Sequence, residues 1–428
     1  MLTRRILIAG VALVAAGCAS GSSGTRPSSS PPASTATTAS ADASRPPTAS
    51  ASTTPARAHS NPGGLTDEQM VGQLFTAYVY GSGARTVTPG QRAANLALYE
   101  AETPAAVVSR WHLGGIVLLD HNSLDPARPN LSTGNLTSPA QIRALINGLQ
   151  TVAHVDSGHP LLVAVDQEGG TVQRIKRGVT PLPSQAQMGK SGSAAVKCSY
   201  YRLGSELRRL GVNQDYAPVA DVVRGSGGVI GSRSFGPDPA RDAALVRAAV
   251  SGLQAAGVLA TLKHWPGHGA STTDSHSALA VLPQDDATWR EVDRVPFAAA
   301  KDQAAAVMVG HLALPAIDPE RRPATLSPVL VRNQLRTVLG YRGLIVTDSL
   351  WMRPARDAGT PGWVALTALD AGNDVLLMSP DVPAASRALV ARVRRDPATR
   401  RLVQEAAGVV LRTKQQLGQP IQEQDCPS

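Results

Sequence analysis

Between Ala19 and Gly64 this chain of 428 residues has no leucine, isoleucine, valine, methionine or aromatic residue. A stretch made of Ser, Thr, Ala, Pro and Gly with a few charges cannot bury enough apolar area to fold, so a disordered tether is expected over 18–64. Long hydrophobic runs are also missing: Ile6 to Ala16 is too short to span a bilayer. Cysteine is scarce. Only Cys198 and Cys426 fall beyond the N-terminal region, so a hydrophobic core rather than staples must hold the folded part, although an exported chain could join these two. No glycine-rich dinucleotide fingerprint follows the first apolar run, and the histidine spacings match no strong zinc signature.

What is present begins with export. Arg4-Arg5, the apolar run and the small residues Ala15-Ala16-Gly17 before Cys18 have the layout of a signal peptide over 1–17. Cys18 in that setting resembles the lipid-modified cysteine of a bacterial lipoprotein, with Ala15 departing from the usual Leu or Val. The expected location is therefore the extracytoplasmic side of a cell membrane through an N-terminal lipid anchor, with ordinary secretion as the alternative. A flexible tether would hold the folded part roughly 40 Å from that membrane. The net charge of +9 becomes +7 without Arg4 and Arg5, which suits an anionic envelope or simply a solvated basic surface. A monomer with no nucleic-acid partner is expected.

Thr66-Asp67-Glu68-Gln69 reads as a capping box, so order is expected to begin there. Short apolar runs then recur at Val71 to Tyr78, Gly115 to Leu119, Leu161 to Val165, Val212 to Val219, Val258 to Leu262, Ala306 to Val309, Gly343 to Val346 and Asp374 to Leu377. Continuous rather than alternating hydrophobicity suggests strands covered on both faces, and the intervals suffice for crossover helices. Such a set predicts an α/β chain with a single (β/α)8 barrel of the TIM type, closed by one helix running to about Leu417 and ending in a short tail, 418–428. In such a barrel the C-terminal strand ends share one face. Asp166, Lys263-His264, His311 and Asp348, which follow four different runs, would therefore meet in one pocket.

The densest polar segment is Lys263-His264-Trp265-Pro266-Gly267-His268-Gly269, continuing to Asp274-Ser275-His276. It is too polar and irregular for a core strand or an amphipathic helix, and reads as an active-site loop. Asp274, two residues before His276, can orient and charge-stabilise an imidazole that gives and takes protons near neutral pH. The same group, His264, His268, Asp274 and His276, also permits a metal reading, which Lys263 beside His264 opposes. Asp348 ends an apolar strand; taken alone it also fits a helix N-cap. Lys263, Arg174, Arg233 and Asp166, beside glycines at predicted strand ends, suit a sugar whose hydroxyls need directional partners.

These residues resemble glycoside hydrolase family 3, and within it the bacterial β-N-acetylglucosaminidases. The resemblance runs from about Leu65 to Leu417 through Val165-Asp166-Gln167-Glu168-Gly169-Gly170 with Val172-Gln173-Arg174; Asp215 to Val222; Ile230 to Gly236; Lys263 to His276; and Thr347-Asp348-Ser349-Leu350. It implies a cofactor-free, retaining exo-hydrolase acting on β-N-acetylglucosaminides or muropeptides. Asp348 would be the nucleophile, His276 the acid/base and Asp274 its partner, with Asp166, Arg174, Arg233, Lys263 and His264 binding the sugar. Ala270-Ser271 departs from the Asp or Asn followed by Thr usual after Pro-Gly-His-Gly. Some relatives carry a second C-terminal domain, so a site built from barrel loops alone is expected here. A phosphorylase and a β-glucosidase are the enzymatic rivals, and a non-catalytic sugar-binding lipoprotein is the rival of another class.

Overall fold

The computed structural model describes residues 61–225, 228–418, 421–424 and 426; the expected leader, Cys18 and nearly all of the tether lie outside them. Order starts as the sequence indicates. Thr66 caps the helix Asp67–Gly72 by accepting from Gln69 N, and the Gln69 side chain accepts from Thr66 N, 3.0 Å away.

Each of the eight apolar runs holds all or part of one strand. They are β1 (Phe75–Ala77), β2 (Gly115–Val117), β3 (Leu162–Val165), β4 (Gln214–Asp215), β5 (Leu259–Trp265), β6 (Ala306–Val309), β7 (Leu344–Thr347) and β8 (Leu376–Leu377). They pair in parallel in the order β7-β6-β5-β4-β3-β2-β1-β8, and every residue in them is buried. A parallel bridge between Val346 and Val375, with Thr347 N donating to Val375 O at 3.0 Å, brings the two ends together. The result is an α/β fold around a nearly closed, TIM-like parallel barrel.

Six of the helices begin with a repeated local signal, a capping Thr, Ser or Asp followed by proline. Thr88-Pro89, Thr103-Pro104, Ser138-Pro139, Asp238-Pro239, Thr360-Pro361 and Asp396-Pro397 each open a helix. The cap satisfies a free N–H, and proline at the first helical position has none to satisfy.

Two expectations are corrected. The closing helix is two helices, Val382–Arg395 and Pro397–Gln415, because Pro397 has no N–H to continue the first and Asp396 caps the second. Lys263, His264 and Trp265 are not loop: β5 carries on through them, three residues past the apolar run, and Trp265 is fully buried. Their polarity reflects the end of a strand entering a pocket. Beyond the last helix the tail is tied down, since Cys426 forms a disulfide with Cys198 over a Cα separation of 5.4 Å and Gln422 N donates to Ala255 O.

Candidate active site

The strand ends place charged groups in a ring. Asp166 follows β3, and the chain then turns into a hairpin, Gln167–Gly169 against Val172–Gln173, that carries Glu168 inward and Arg174 to the rim. Buried Asp215 at the end of β4 accepts from Gln167 N at 2.9 Å and so fixes the hairpin to the barrel. Lys263, 2% exposed, donates to Asp166 Oδ1 at 2.8 Å and lies 2.6 Å from Glu168 Oε1. Arg233, from the turn Gly231–Arg233, meets Glu168 in two parallel bonds of 2.8 Å. Arg174 Nε stands 3.9 Å from Asp166.

Burial pushes the Glu168 carboxyl up, but Lys263 and Arg233 outweigh it and bring it down to about 2. Burial opposes the Lys263 charge and is in turn outweighed by Asp166 and Glu168, so the ammonium is held above its usual range. Cation and carboxylate thus fix one another's charge, in geometry suited to planar two-point recognition.

A second network stands beside the first. Buried Asp221 receives His264 N at 3.0 Å and His268 N at 2.7 Å, and its other oxygen lies 2.7 Å from His264 Nδ1. This carboxylate clamps the end of β5 to the turn that follows. Asp348 comes directly after β7, with its own N–H on Val309 O and one carboxylate oxygen accepting from Ser349 N at 2.7 Å. No helix starts there, since the next, Arg353–Arg356, has Met352 at its cap position; the cap reading of Asp348 is excluded. Burial raises the Asp348 carboxyl, but neighbouring imidazoles, His264 foremost, hold it below its usual value. It is therefore ionised at neutral pH.

Asp274 and His276 sit further along the same segment, each about half exposed, with His276 Nδ1 2.7 Å from Asp274 Oδ1 and His276 N on the same oxygen at 2.9 Å. Burial of Asp274 is outweighed by these bonds, so its carboxyl lies below its usual range. His311 is held elsewhere, between Thr325 Oγ1 and Ser349 O, where it supports the backbone beside Asp348.

One cavity of about 220 Å³ is lined by Asp166, Arg174, Arg233, Lys263, His264, His276 and Asp348, while Asp274 stands behind His276. The structure thus brings Asp166, Arg174, Arg233, Lys263, His264, His276 and Asp348 together, with Asp274 behind His276, whereas His311, expected in the same pocket, is buried outside its lining. It adds Glu168 and Asp221, which lay inside quoted motifs without an assigned part. One sequence signal could have found them: Lys263 and His264 at a strand end, and Arg233 in a turn, need counter-charges where they are taken out of water. The cavity also takes His121, Asn122 and Ser123 from the loop after β2, where no motif pointed.

The family described as glycosyl hydrolase family 3 N terminal domain matches residues 68–413. A beta-hexosaminidase of Xylella fastidiosa is 39% identical over 252 residues, which is 57% of this chain and 73% of that protein. Beta-hexosaminidase A of Pseudoalteromonas piscicida is 33% identical over 76% of this chain and 55% of its own length. Among solved structures, a family 3 beta-N-acetylglucosaminidase from a Paenibacillus strain superposes with a TM-score of 0.73 at 34% identity, covering 85% of this chain. This chain spans 64% of that protein. The beta-N-acetylhexosaminidase of Beutenbergia cavernae gives 0.70 at 29% identity and is covered over 99% of its length.

Proposed function

The chain belongs to glycosyl hydrolase family 3, and from that membership we propose that it is a β-N-acetylhexosaminidase that releases terminal N-acetylglucosamine by a two-step retaining mechanism. One observation carries the reading: an ionised carboxylate, Asp348, and a carboxylate-oriented imidazole, His276, line the same cavity as the Asp166, Lys263, Glu168 and Arg233 ring. The ring and His264 grip the sugar hydroxyls. Asp348 attacks the anomeric carbon as the bond to the leaving oxygen breaks, and His276 Nε2 gives its proton to that oxygen. Water then loses a proton to the same nitrogen and displaces Asp348, so configuration is kept. Asp274, on the opposite ring nitrogen, stabilises the imidazolium at each stage.

The natural substrate is proposed to be a cell-wall muropeptide, reached from the extracytoplasmic face of a membrane on the Cys18 lipid and the tether. No cofactor takes part, and the working unit is a monomer.

The test is release from a chromogenic β-N-acetylglucosaminide and from purified muropeptides, with and without phosphate. N-acetylglucosamine is the expected product under both conditions. A sugar 1-phosphate would establish the phosphorylase instead, and failure of folded protein to release anything between pH 5 and 8 would overturn the assignment. Asp348→Ala should abolish turnover. His276→Ala should lower kcat/KM on poor leaving groups by about 100-fold or more and on activated aryl glycosides far less, because an acidic leaving group needs little proton assistance.

A further inference from the structure

The Asp-Ser-His triplet alternates. Asp274 and His276 are half exposed, whereas Ser275 between them is 3% exposed and turns inward. Its hydroxyl lies 3.1 Å from His268 Nε2, and His268 is itself 3% exposed with Nδ1 buried and, among the described residues, unpartnered. The other end of this connection is rigid, since His268 N is bound to Asp221, the carboxylate that also holds His264. Within the triplet the backbone has one further bond to the rest of the fold, His276 O accepting from Arg353 N over 3.4 Å; upstream, Ser271 Oγ bonds within its own turn, to Thr273, and downstream the chain is next held where Ala280–Val281 pairs in parallel with Leu312–Ala313. Both His268 and Ser275 line the cavity.

We infer that the His268–Ser275 hydrogen bond is the latch that sets the Asp274–His276 pair over the cavity, with Ser275 and His268 as positioning residues for proton transfer. This rests on the reading of His276 as acid/base. The path runs from Asp221 through His268 to Ser275, whose backbone fixes the residues on either side. A buried imidazole with one nitrogen already unpaired has no second partner when the hydroxyl is removed, so loss of Ser275 Oγ leaves the ring without a hydrogen bond and the pair without its pin. A misplacement on the order of 1 Å at a proton donor costs up to roughly 100-fold in rate. The cost falls on the step that needs the proton.

The experiment compares wild type, Ser275→Ala, Ser275→Thr and His268→Ala on two β-N-acetylglucosaminides, one with an activated phenol and one with an alkyl alcohol or sugar as leaving group. The quantity read is kcat/KM, which reports the first chemical step. The inference expects Ser275→Ala and His268→Ala to lose 10- to 100-fold on the poor leaving group and less than about threefold on the activated one, with Ser275→Thr close to wild type because it keeps a hydroxyl. Retained turnover of the activated substrate also shows that each variant is folded. Equal losses on both substrates, or wild-type rates for Ser275→Ala on the poor one, would overturn it. An inactive wild type would instead overturn the hydrolase assignment, so the two failures are distinguishable.

Discussion

Lys263 and Arg233 both point at Glu168, and the aim of these two cations depends on that carboxylate staying charged. Removing one partner from a buried ionic cluster costs about 3 to 5 kcal/mol, because the remaining charges lose compensation they cannot find in water. Glu168→Gln keeps the shape and removes the charge. It should lower the midpoint of thermal unfolding and raise KM for the sugar by about tenfold or more, since two cations lose their fixed aim. The pH dependence follows from the depressed value. With the folded carboxyl at about 2 against an ordinary 4.5, the contribution of Glu168 is complete above about 4.5 and is lost as pH falls toward 2. Unfolding melts of both proteins between pH 7 and 3 check this: the gap between them should be level down to about pH 4.5 and narrow below it, and a constant gap would disprove the ionic role. The sequence made Asp166, Arg174, Arg233, Lys263 and His264 legible because each polar residue interrupts an apolar strand or stands beside glycine. Glu168 and Asp221 serve other side chains from inside the protein, and that kind of service leaves no periodicity to read.

At the scale of elements, the turn Pro266–Gly269 is where a barrel strand becomes a working loop. It is seated on aromatic packing: Trp265 meets Trp289 and Phe297 edge to face at 5.6 and 5.3 Å, and Trp289 Nε1 donates to Pro266 O. On its other side Arg224 N donates to Gly269 O. A Cβ added at Gly269 would fall 1.9 Å from Val222 O, a backbone atom that cannot swing aside. Gly269→Ala should therefore move the turn away from the Asp221 segment, with a destabilisation of about 2 kcal/mol or more and a drop in activity larger than that of an alanine at an exposed site. A variant with wild-type melting and turnover would refute this close approach. The eight strands are legible because a strand covered on both faces is an unbroken apolar run, and the two tail helices look like one in the sequence because both are Ala-, Val- and Arg-rich with only Asp396-Pro397 to divide them. The far end of β5 looks like loop in the sequence for an equally physical reason: its polar residues are satisfied by Asp166, Glu168 and Asp221, from elsewhere in the chain.

For the whole molecule, closure of the barrel is backed by the C-terminal helix and by a covalent tie. The Cys198–Cys426 disulfide spans 228 residues, and in the chain-entropy account a loop of that size is worth roughly 5 kcal/mol against the unfolded state. The same C-terminal region carries an opposing element. Lys414 is 4% exposed, its Nζ donates to Gln73 Oε1 at 2.6 Å, and among the described residues it has no carboxylate partner. Burial alone lowers it from an ordinary 10.5 to about 7. Between those values the unfolded chain holds the proton and the folded chain does not, so this group makes stability rise with pH, by up to about 1.4 kcal/mol per unit. Below about 7 both states are protonated and the cost is constant. Asp215 acts in the opposite sense: burial raises its carboxyl to about 8, so stability falls from this group as pH climbs from about 4 to 8. A single melt curve would blend the two. Lys414→Met, which keeps the length and drops the charge, separates them: at pH 7 the variant should be more stable than wild type, and the advantage should shrink steadily as pH approaches 10, where wild-type Lys414 is neutral in the folded state. Denaturant unfolding of both proteins at pH 6, 7, 8, 9 and 10 measures that difference, and an advantage that stayed level across the series would show that Lys414 is charged in its niche after all.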